Sequence, residues 1–283
     1  MLRYRFLGLA NLNHGERNME VRVHYRTDLT DKQWQIVKKF IPAQKKGPKQ
    51  ICRRRILNAV WYLVRTGCQW RNLPLSFPKW KTVYNVFWHW RNGGTWQTIH
   101  DTLCRLVRKN KGKKPAPSAG IIDSQSVKTT ESGGDRGYDA GKKVNGRKRH
   151  IVVDTLGLIM SLVIHAADVQ DQDGAKLAIM ELGDRFKRLL VIFADSAYAR
   201  CGLPNWVQKV FGWILQPVLR PVDVKGFVIL PKRWIVERTF AWINKFRRNS
   251  KDYERNMDSS KAMIHIAMTI RMLKLLEKQH LSS

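Results

Sequence analysis

Acidic residues and cysteines are both scarce in this chain of 283 residues. Only 22 Asp and Glu stand against 52 Lys and Arg, which gives a formal net charge of +30 at pH 7. The four cysteines, Cys52, Cys68, Cys104 and Cys201, include no C-x-x-C pair. This spacing argues against both a structural zinc site and a disulfide framework. We therefore expect a protein of a reducing compartment, the cytoplasm.

Long apolar runs are missing as well. No segment approaches the roughly 20 apolar residues of a membrane span, and the apolar part of residues 1–10 is too short and interrupted for a signal peptide. We expect no membrane partner. Residues 1–24 look unlike the rest of the chain, so we treat them as a poorly defined N-terminal extension, with Met19 as an alternative start. His150 and His165 lack partners at metal-ligand spacing, which favours structural roles for both.

Positive charge is what the chain has in excess, and it is unevenly distributed. Residues 1–120 carry 25 Lys and Arg but only 5 Asp and Glu, a net charge of +20. Such a charge repels itself in the folded state, so a polyanionic partner such as DNA is expected. Eleven Trp and a hydrophobic content of 43% indicate a large core, which fits a generic basic protein less well.

Residues 25–108 have the pattern of a small helical DNA-binding domain. A capping box at Thr30–Gln33 opens the first helix, and an apolar stripe over residues 56–64 ends before Gly67. Residues 79–91 predict a third helix and 96–108 a fourth. Short helices and a polar face are typical of a helix-turn-helix domain, although any small basic helical bundle looks similar. The polar, proline-broken residues 109–118 predict a linker.

The candidates for DNA contact are basic or polar side chains of predicted helices and loops. Arg53, Arg54 and Arg55 lie in a first helical turn, where the helix dipole disfavours cations. They are interpreted either as phosphate ligands or as a solvated helix end. The predicted DNA-binding residues are Arg53, Arg54, Arg55, Lys79, Lys81, Tyr84, Asn85, Lys142, Lys143, Arg147, Lys148, Arg149, Arg233 and Lys245.

From residue 119 onwards the pattern changes to strands and helices. The order indicates an α/β fold, a mixed sheet flanked by helices, with its first and fourth strands as neighbours. The glycine-rich residues 132–146 predict an exposed loop. Strands are expected at 120–127, 149–154, 158–165, 189–194 and 213–218, and helices at 173–182, 232–248 and 258–278.

Two aspartates directly follow apolar core segments of this predicted sheet. Asp123 follows Ile121–Ile122, Asp195 follows the apolar run 189–194, and parallel neighbouring strands would bring both carboxylates together. Paired carboxylates suit Mg²⁺ or Mn²⁺, and two ions ~3.5–4 Å apart can clamp a phosphodiester. Glu237 lies further along on a helix, four residues after Arg233. Taken singly, the aspartates would be turn caps and Arg233–Glu237 an ordinary helical ion pair.

Four ordered segments resemble bacterial insertion-sequence transposases of the DDE type. They are residues 121–128, 146–154, 194–198 and 233–240. Residues 29–74 resemble the N-terminal DNA-binding domain of the same family, so that the resemblance covers residues 25–277. Of the family's Tyr-Arg-Glu-Lys signature, Arg233 and Glu237 are present. Leu230 and Asn244 stand at the tyrosine and lysine positions, with Lys245 next to the latter.

This resemblance implies an RNase-H-like catalytic domain at residues 119–283. It implies that Asp123, Asp195 and Glu237 are the catalytic residues and hold two Mg²⁺ (or Mn²⁺) ions. The expected partners are double-stranded DNA, as terminal inverted repeats and as target, and further copies of the chain as a homo-oligomer on DNA. The expected reaction is cleavage at the element's ends followed by strand transfer. The alternatives are a catalytically inactive DNA-binding protein or repressor, and a plain nuclease that cuts without joining.

Overall fold

The computed structural model describes residues 23–42, 51–131, 134–199, 202–218 and 232–279. The predicted N-terminal extension lies almost wholly outside these residues, as does Leu230. Across the described part of the chain, no helix combines the length and the apolar character needed to cross a membrane.

The front half forms a bundle of short helices. In α1, the predicted capping box is present: Thr30 Oγ1 accepts a hydrogen bond from the backbone N–H of Gln33, whose side chain accepts one from the N–H of Thr30. Helix α2 ends at Gly67, whose φ of 76° is the left-handed conformation that favours glycine. The helices are α1 (Asp31–Val37), α2 (Arg53–Thr66), α3 (Trp80–Asn92) and α4 (Thr95–Asn110), with 3₁₀ turns at Lys38–Phe40 and Trp70–Asn72.

The back half contains a mixed sheet built around its first strand. The strands of the described chain are β1 (Ala119–Lys128), β2 (Gly137–Asp139), β3 (Val144–Asp154), β4 (Ile159–Ala166), β5 (Val191–Asp195) and β6 (Ile214–Val218). Their order is β2–β3–β1–β5–β6, with β4 also paired to β3. Strand β3 runs antiparallel to both β1 and β4, whereas β5 runs parallel to β1 and β6 parallel to β5. The expected RNase-H-like fold is confirmed.

Helices cover both faces of this sheet. Because successive strand residues point to opposite faces, Ile122 packs with α5 and α6, while its neighbour Ile121 packs with α7 and α8. Both side chains are fully buried or nearly so. The helices are α5 (Asp171–Met180), α6 (Leu203–Phe211), α7 (Arg233–Asn244) and α8 (Met257–Gln279), with 3₁₀ turns at Gly183–Phe186, Ser196–Ala199 and Arg247–Asn249.

The glycine-rich segment is more ordered than the sequence predicts. The prediction of an exposed loop over residues 132–146 is wrong for two parts of this segment. Gly137–Asp139 forms β2, and it pairs with the first residues of β3, which begins at Val144. Gly146 is a strand residue rather than a turn residue. A Cβ atom there would overlap the backbone of Val127 on β1, so glycine is needed for the close approach of these two strands.

Helix α8 packs against both halves of the molecule. Met263 and Leu273 belong to the core that the front helices form, whereas Ile264 and Met268 belong to the core beneath the sheet. The division at residues 109–118 into a DNA-binding domain (25–108) and a catalytic domain (119–283) stays a prediction. Apolar contacts nevertheless cross it, so the front helices and α8 depend on each other for burial.

A buried ion pair reinforces this junction. Arg108 of α4 contacts the carboxylate of Asp154 at the end of β3, and the two side chains are 8% and 1% exposed. The other carboxylate oxygen of Asp154 accepts hydrogen bonds from the backbone N–H groups of Leu156 and Leu158, both at 2.9 Å. Asp154 thus stabilises the turn between β3 and β4, and it also joins this turn to the front half.

Replacing Arg108 by Met should destabilise the protein strongly. The apolar stem is kept, but Asp154 is left buried without its cation, a change that costs about 3–5 kcal/mol. Lys176→Met is the matched control: its partner Asp173 is 64% exposed, and a surface pair contributes at most about 1 kcal/mol. Urea unfolding followed by circular dichroism gives both free energies. Equal losses in the two variants would refute the assignment.

Candidate active site

Parallel pairing brings Asp123 and Asp195 to the same edge of the sheet. The parallel pairing ends at Ile121 and Phe193, and each aspartate follows two residues later on its strand. The two are close enough for the charge of Asp195 to affect Asp123. Neighbouring strands lie about 4.7–4.9 Å apart, which places the two carboxylates within reach of a shared ligand. The apolar residues before each aspartate are buried in the sheet and fix this arrangement.

Asp123 is the more deeply placed of the two carboxylates. Its Oδ1 accepts a hydrogen bond of 2.7 Å from the backbone N–H of Ser124. Burial raises the pKa of Asp123 to about 6, and the charge of Asp195 adds to the rise, although this hydrogen bond and the charges of Arg233 and Lys142 lower it. The two carboxylates therefore disfavour each other's charge, and a nearby cation relieves both.

Asp195 is more open, with 32% of its side chain exposed. Its Oδ1 accepts hydrogen bonds from the hydroxyl of Ser196 at 2.9 Å and from the backbone N–H of Ala197 at 3.3 Å. The cap predicted as the alternative for a lone aspartate is therefore present in the structure. It engages one oxygen and leaves Oδ2 free of the turn.

Arg233 contacts this Oδ2 atom of Asp195 and also the carboxylate of Glu237. Its guanidinium lies 2.9 Å from Asp195 Oδ2 and 3.8 Å from Glu237 Oε1. Helix α7 presents this pair to the site because Ile235 and Val236 anchor its other side beneath the sheet. Glu237 stands at the rim, 55% exposed. In the described residues, no three His, Cys, Asp or Glu side chains meet closely enough to hold a metal ion.

The donor set fits a hard divalent cation. Asp123, Asp195 and Glu237 offer only carboxylate oxygens, the ligands that Mg²⁺ and Mn²⁺ prefer. Burial is the largest cause of the raised pKa of Asp123, so a cation bound there would offset the cost of its charge. The two aspartates are brought together, whereas Glu237 is separated from Asp195 by the guanidinium of Arg233.

Lys142 is the predicted DNA-binding residue that lies at the opposite rim. Its ammonium donates to the hydroxyl of Ser124 at 3.1 Å and to the Ser124 carbonyl at 3.3 Å. Its backbone N–H donates to Asp139 at 3.0 Å, which fixes the turn between β2 and β3. Lys143 comes next, with an exposed side chain and a φ of 53°. Both lysines are accessible to a phosphate at this edge.

Arg147 and Arg149 are not accessible, and their prediction as DNA-binding residues is wrong. Their exposures are 0% and 1%. Arg147 donates to the carbonyls of Glu254 and Arg255 at 2.7 and 2.8 Å. Arg149 donates to the carbonyl of Asn249 at 2.9 Å. Both guanidiniums hold the chain segment that leads from α7 to α8 against the sheet.

Lys148 is likewise buried and structural, and the same correction applies to it. Its ammonium donates to the Val169 carbonyl at 2.9 Å and lies 3.1 Å from Asp171 Oδ1. Asp171 also accepts a 3.0 Å hydrogen bond from Ser124, the neighbour of Asp123. This role of Asp171 is not predictable from the sequence, since an aspartate in a first helical turn indicates only a cap. Asp171 ties α5 to the part of β1 that carries Asp123.

The two histidines predicted to be structural form a pair beside this cluster. His150 Nδ1 and His165 Nε2 lie 2.9 Å apart. Burial, followed by the charge of His165, lowers the pKa of His150 to about 3. Burial also lowers the pKa of His165. A neutral pair, in which one ring donates and the other accepts, satisfies these values.

The predicted DNA-binding residues of the front half separate into two groups. On α3, the side chains of Lys81, Tyr84 and Asn85 are exposed, as is Lys79 at its start. The three arginines at the start of α2 contact protein groups instead. These contacts support neither of the two interpretations, phosphate ligands or a solvated helix end. Arg54 pairs with Asp31, Arg55 donates to the Ser76 carbonyl, and Arg53 lies 5.7 Å from the ring centroid of Trp90. On α7, Lys245 is exposed at the helix end.

Comparison with known proteins gives matches over both halves of the chain. Residues 114–273 match the family model of the transposase DDE domain, and residues 29–100 match a model of candidate transposases of the IS4/5 family. In Burkholderia cepacia, an uncharacterised 16.2 kDa protein of insertion element IS402 is 23% identical over 113 residues, 37% of this chain and 76% of that protein.

A candidate transposase for insertion sequence element IS402, also from Burkholderia cepacia, is 28% identical over 129 residues. The match covers 43% of this chain and 60% of that protein. Among solved structures, the Mos1 mariner paired end complex with Mn matches with 12% identity and a TM-score of 0.33, over 84% of this chain and 79% of that one. This last superposition is too loose to argue from. The DDE-domain model covers more than half of the chain, and the protein therefore belongs to the DDE-type insertion-sequence transposase family.

Proposed function

We propose that this protein cuts DNA at the terminal inverted repeats of an insertion sequence and joins the freed ends to target DNA. Family membership supports DNA transposition in general. The observation that carries the finer proposal is the placement of Asp123, in the middle of β1, beside Asp195, at the end of β5. Together with Glu237, they are the proposed catalytic, metal-binding residues.

The carboxylates would hold Mg²⁺ or Mn²⁺, two ions in the full site. When bound, such ions supply Lewis-acid stabilisation to a phosphodiester under attack. Asp123 and Asp195 form the fixed part of the site because both belong to strands of the central sheet. Glu237 completes it once Arg233 releases the two carboxylates that it now contacts. The guanidinium is then available to a phosphate oxygen, for which its planar donors are well suited.

The surroundings of the carboxylates support binding of DNA at this edge. Lys142 stands across from Arg233, so cations flank the carboxylates from two sides. The exposed residues Lys79, Lys81 and Asn85 of α3 are the proposed contacts with double-stranded DNA, Lys143 and Lys245 being further phosphate contacts. A homo-oligomer assembled on two DNA ends, in the bacterial cytoplasm, completes the proposal.

Asp195→Asn should abolish cleavage and joining while leaving DNA binding intact. The amide keeps the size of the side chain but loses the charge that a metal ion needs. Activity should fall by more than the roughly 10–100-fold that follows removal of a residue that only hydrogen-bonds to a metal ligand. The assay uses linear DNA that carries the element's inverted repeats, with gel analysis of cut and joined products. Asp173→Asn, at an exposed carboxylate on α5, is the matched control and should retain full activity.

The products also separate the proposal from its alternatives. Cutting without joining would identify a plain nuclease. Binding with no cleavage by the unmodified protein, in either Mg²⁺ or Mn²⁺, would identify a DNA-binding protein or repressor and end the enzyme interpretation.

Removal of divalent ions should stop the reaction reversibly. With EDTA, the carboxylates lose the cation that offsets their mutual repulsion, and cleavage should fall to background. Mg²⁺ or Mn²⁺ in excess should restore it, because both ions accept oxygen ligands. The measurement is the initial rate of cleavage against free metal concentration. Undiminished cleavage after chelation would contradict the metal assignment.

Asn85→Ala should weaken binding of the inverted repeats selectively. An asparagine that contacts a base edge contributes about 1–3 kcal/mol to discrimination, so the preference for the repeats over random DNA should fall at least fivefold. Competition binding at two salt concentrations measures it. Lys187→Ala, which removes an exposed lysine beyond α5, is the control. A point variant is needed because deleting the front helices would uncover the apolar side of α8.

A further inference from the structure

An open groove of about 850 Å³ separates α3 from residues 253–259, which comprise the end of the preceding loop and the start of α8. This volume lies within the roughly 300–1,000 Å³ typical of ligand pockets. None of the three proposed catalytic carboxylates lines the groove, so it is a separate feature of the molecule. We call it the α3 groove.

Aromatic rings make up much of the α3 groove. Trp88 and Tyr84 of α3 are 40% and 36% exposed, and Tyr84 packs edge-on against Trp70 with ring centroids 5.2 Å apart. Tyr253 lines the opposite wall. Exposed aromatic side chains that converge on one concave surface indicate a binding site rather than a solvated face.

Two guanidiniums are fixed beside these rings. Arg91 lies 5.9 Å from the ring centroid of Trp88, and its guanidinium donates to the hydroxyl of Ser259 at 2.6 Å. Arg248 lies 5.7 Å from the ring centroid of Tyr253 and is paired with Glu254 at 2.6 Å. Aromatic faces combined with arginine are the surfaces on which unpaired nucleobases stack.

Carboxylates also line the α3 groove, which argues against a site for DNA backbone. Asp135 and Asp258 contribute to the lining. They repel phosphates, but they can accept hydrogen bonds from the amino groups of bases, as carboxylates do from cytosine. The cavity between α7 and α8 differs from the α3 groove in its charge. Its lining includes the cations Lys245 and Lys274 and contains no carboxylate.

The far wall of the α3 groove is held in place from the sheet. Buried Arg147 donates to the carbonyls of Glu254 and Arg255 and lies 3.3 Å from Asp252. The Gly134 N–H donates to the same Arg255 carbonyl at 3.2 Å. The wall therefore needs little ordering when a ligand binds, which favours affinity.

We propose that the α3 groove binds one or two unpaired nucleotides of DNA, with bases stacked on Trp88 and Tyr84. A base inside a duplex has both faces covered by its neighbours, so only an unpaired base can use these rings. The neighbouring Lys81 and Asn85 would bring a DNA end to the groove. This binding goes beyond the strand transfer proposed above, and it requires neither metal ions nor the catalytic carboxylates.

The test compares two DNA duplexes of equal length, one blunt and one with a four-nucleotide unpaired tail that contains 2-aminopurine. Binding of the full chain is measured by fluorescence anisotropy in EDTA, so that no cleavage takes place. The tail should raise affinity about tenfold, which is the scale of one stacked base, and 2-aminopurine fluorescence should fall. Because cleavage is not measured, failure of the proposed enzymatic function would leave this result unaffected.

Trp88→Ala should remove the advantage of the tail and the quenching, while affinity for the blunt duplex stays within twofold. Trp88→Phe should restore most of both, because a phenyl ring still stacks. Tyr84→Leu, which removes the other proposed stacking ring, tests the same expectation independently of Trp88. Tyr138→Ala removes a tyrosine that is 56% exposed on β2, outside the groove, and should change nothing.

Three results would overturn the proposal. They are equal affinity of the unmodified protein for tailed and blunt DNA, an equal loss for both DNAs in Trp88→Ala, and a Trp88→Phe variant that behaves like Trp88→Ala. The second would make Trp88 a duplex contact, and the third would make its role structural. Thermal melting of each variant establishes that it is folded.

Discussion

Burial of the Asp123 carboxylate beside Asp195 is the constraint on which the site depends. Burial is the largest cause of the raised pKa of Asp123, and the charge of Asp195 adds a smaller rise. The fold offsets the cost with cations from separate elements, Arg233 from α7 and Lys142 from the turn between β2 and β3. Oxygen ligands of this kind are those that divalent cations such as Mg²⁺ bind in proteins. The sheet, the turn between β2 and β3, and α7 therefore all act on the charge of the buried Asp123 carboxylate.

The buried cations of β3 extend the same reasoning through the molecule. Arg147 and Arg149 point to one face of the sheet and Lys148 to the other, as strand alternation requires. Each buried charge must find partners, so the first two fix the segment before α8, and Lys148 fixes α5 through Asp171. One strand thus stabilises both the far wall of the α3 groove and the part of β1 that carries Asp123.

Much of this could be predicted from the sequence, because periodicity and capping are local. The apolar segments before Asp123 and Asp195, the capping box at Thr30, and the four front helices all follow from residues close together in the sequence. The burial of Arg147 could not be predicted, because its partners lie about 100 residues away in sequence. A basic run looks the same whether it meets phosphates or main-chain carbonyls. The role of α8 as a shared helix was hidden for a similar reason, since an apolar helix does not reveal which elements cover each side.

Arg233 links the resting geometry to the proposed chemistry. Its guanidinium contacts Asp195 and Glu237 at once, and it therefore substitutes for part of the charge that metal ions would bring. Its charge also lowers the pKa of Asp123, but burial outweighs this effect and keeps that pKa raised. Divalent metal ions accept oxygens from several directions, so Asp123, Asp195 and Glu237 could hold them together. Arg233 would then be available to the phosphate of a bound DNA.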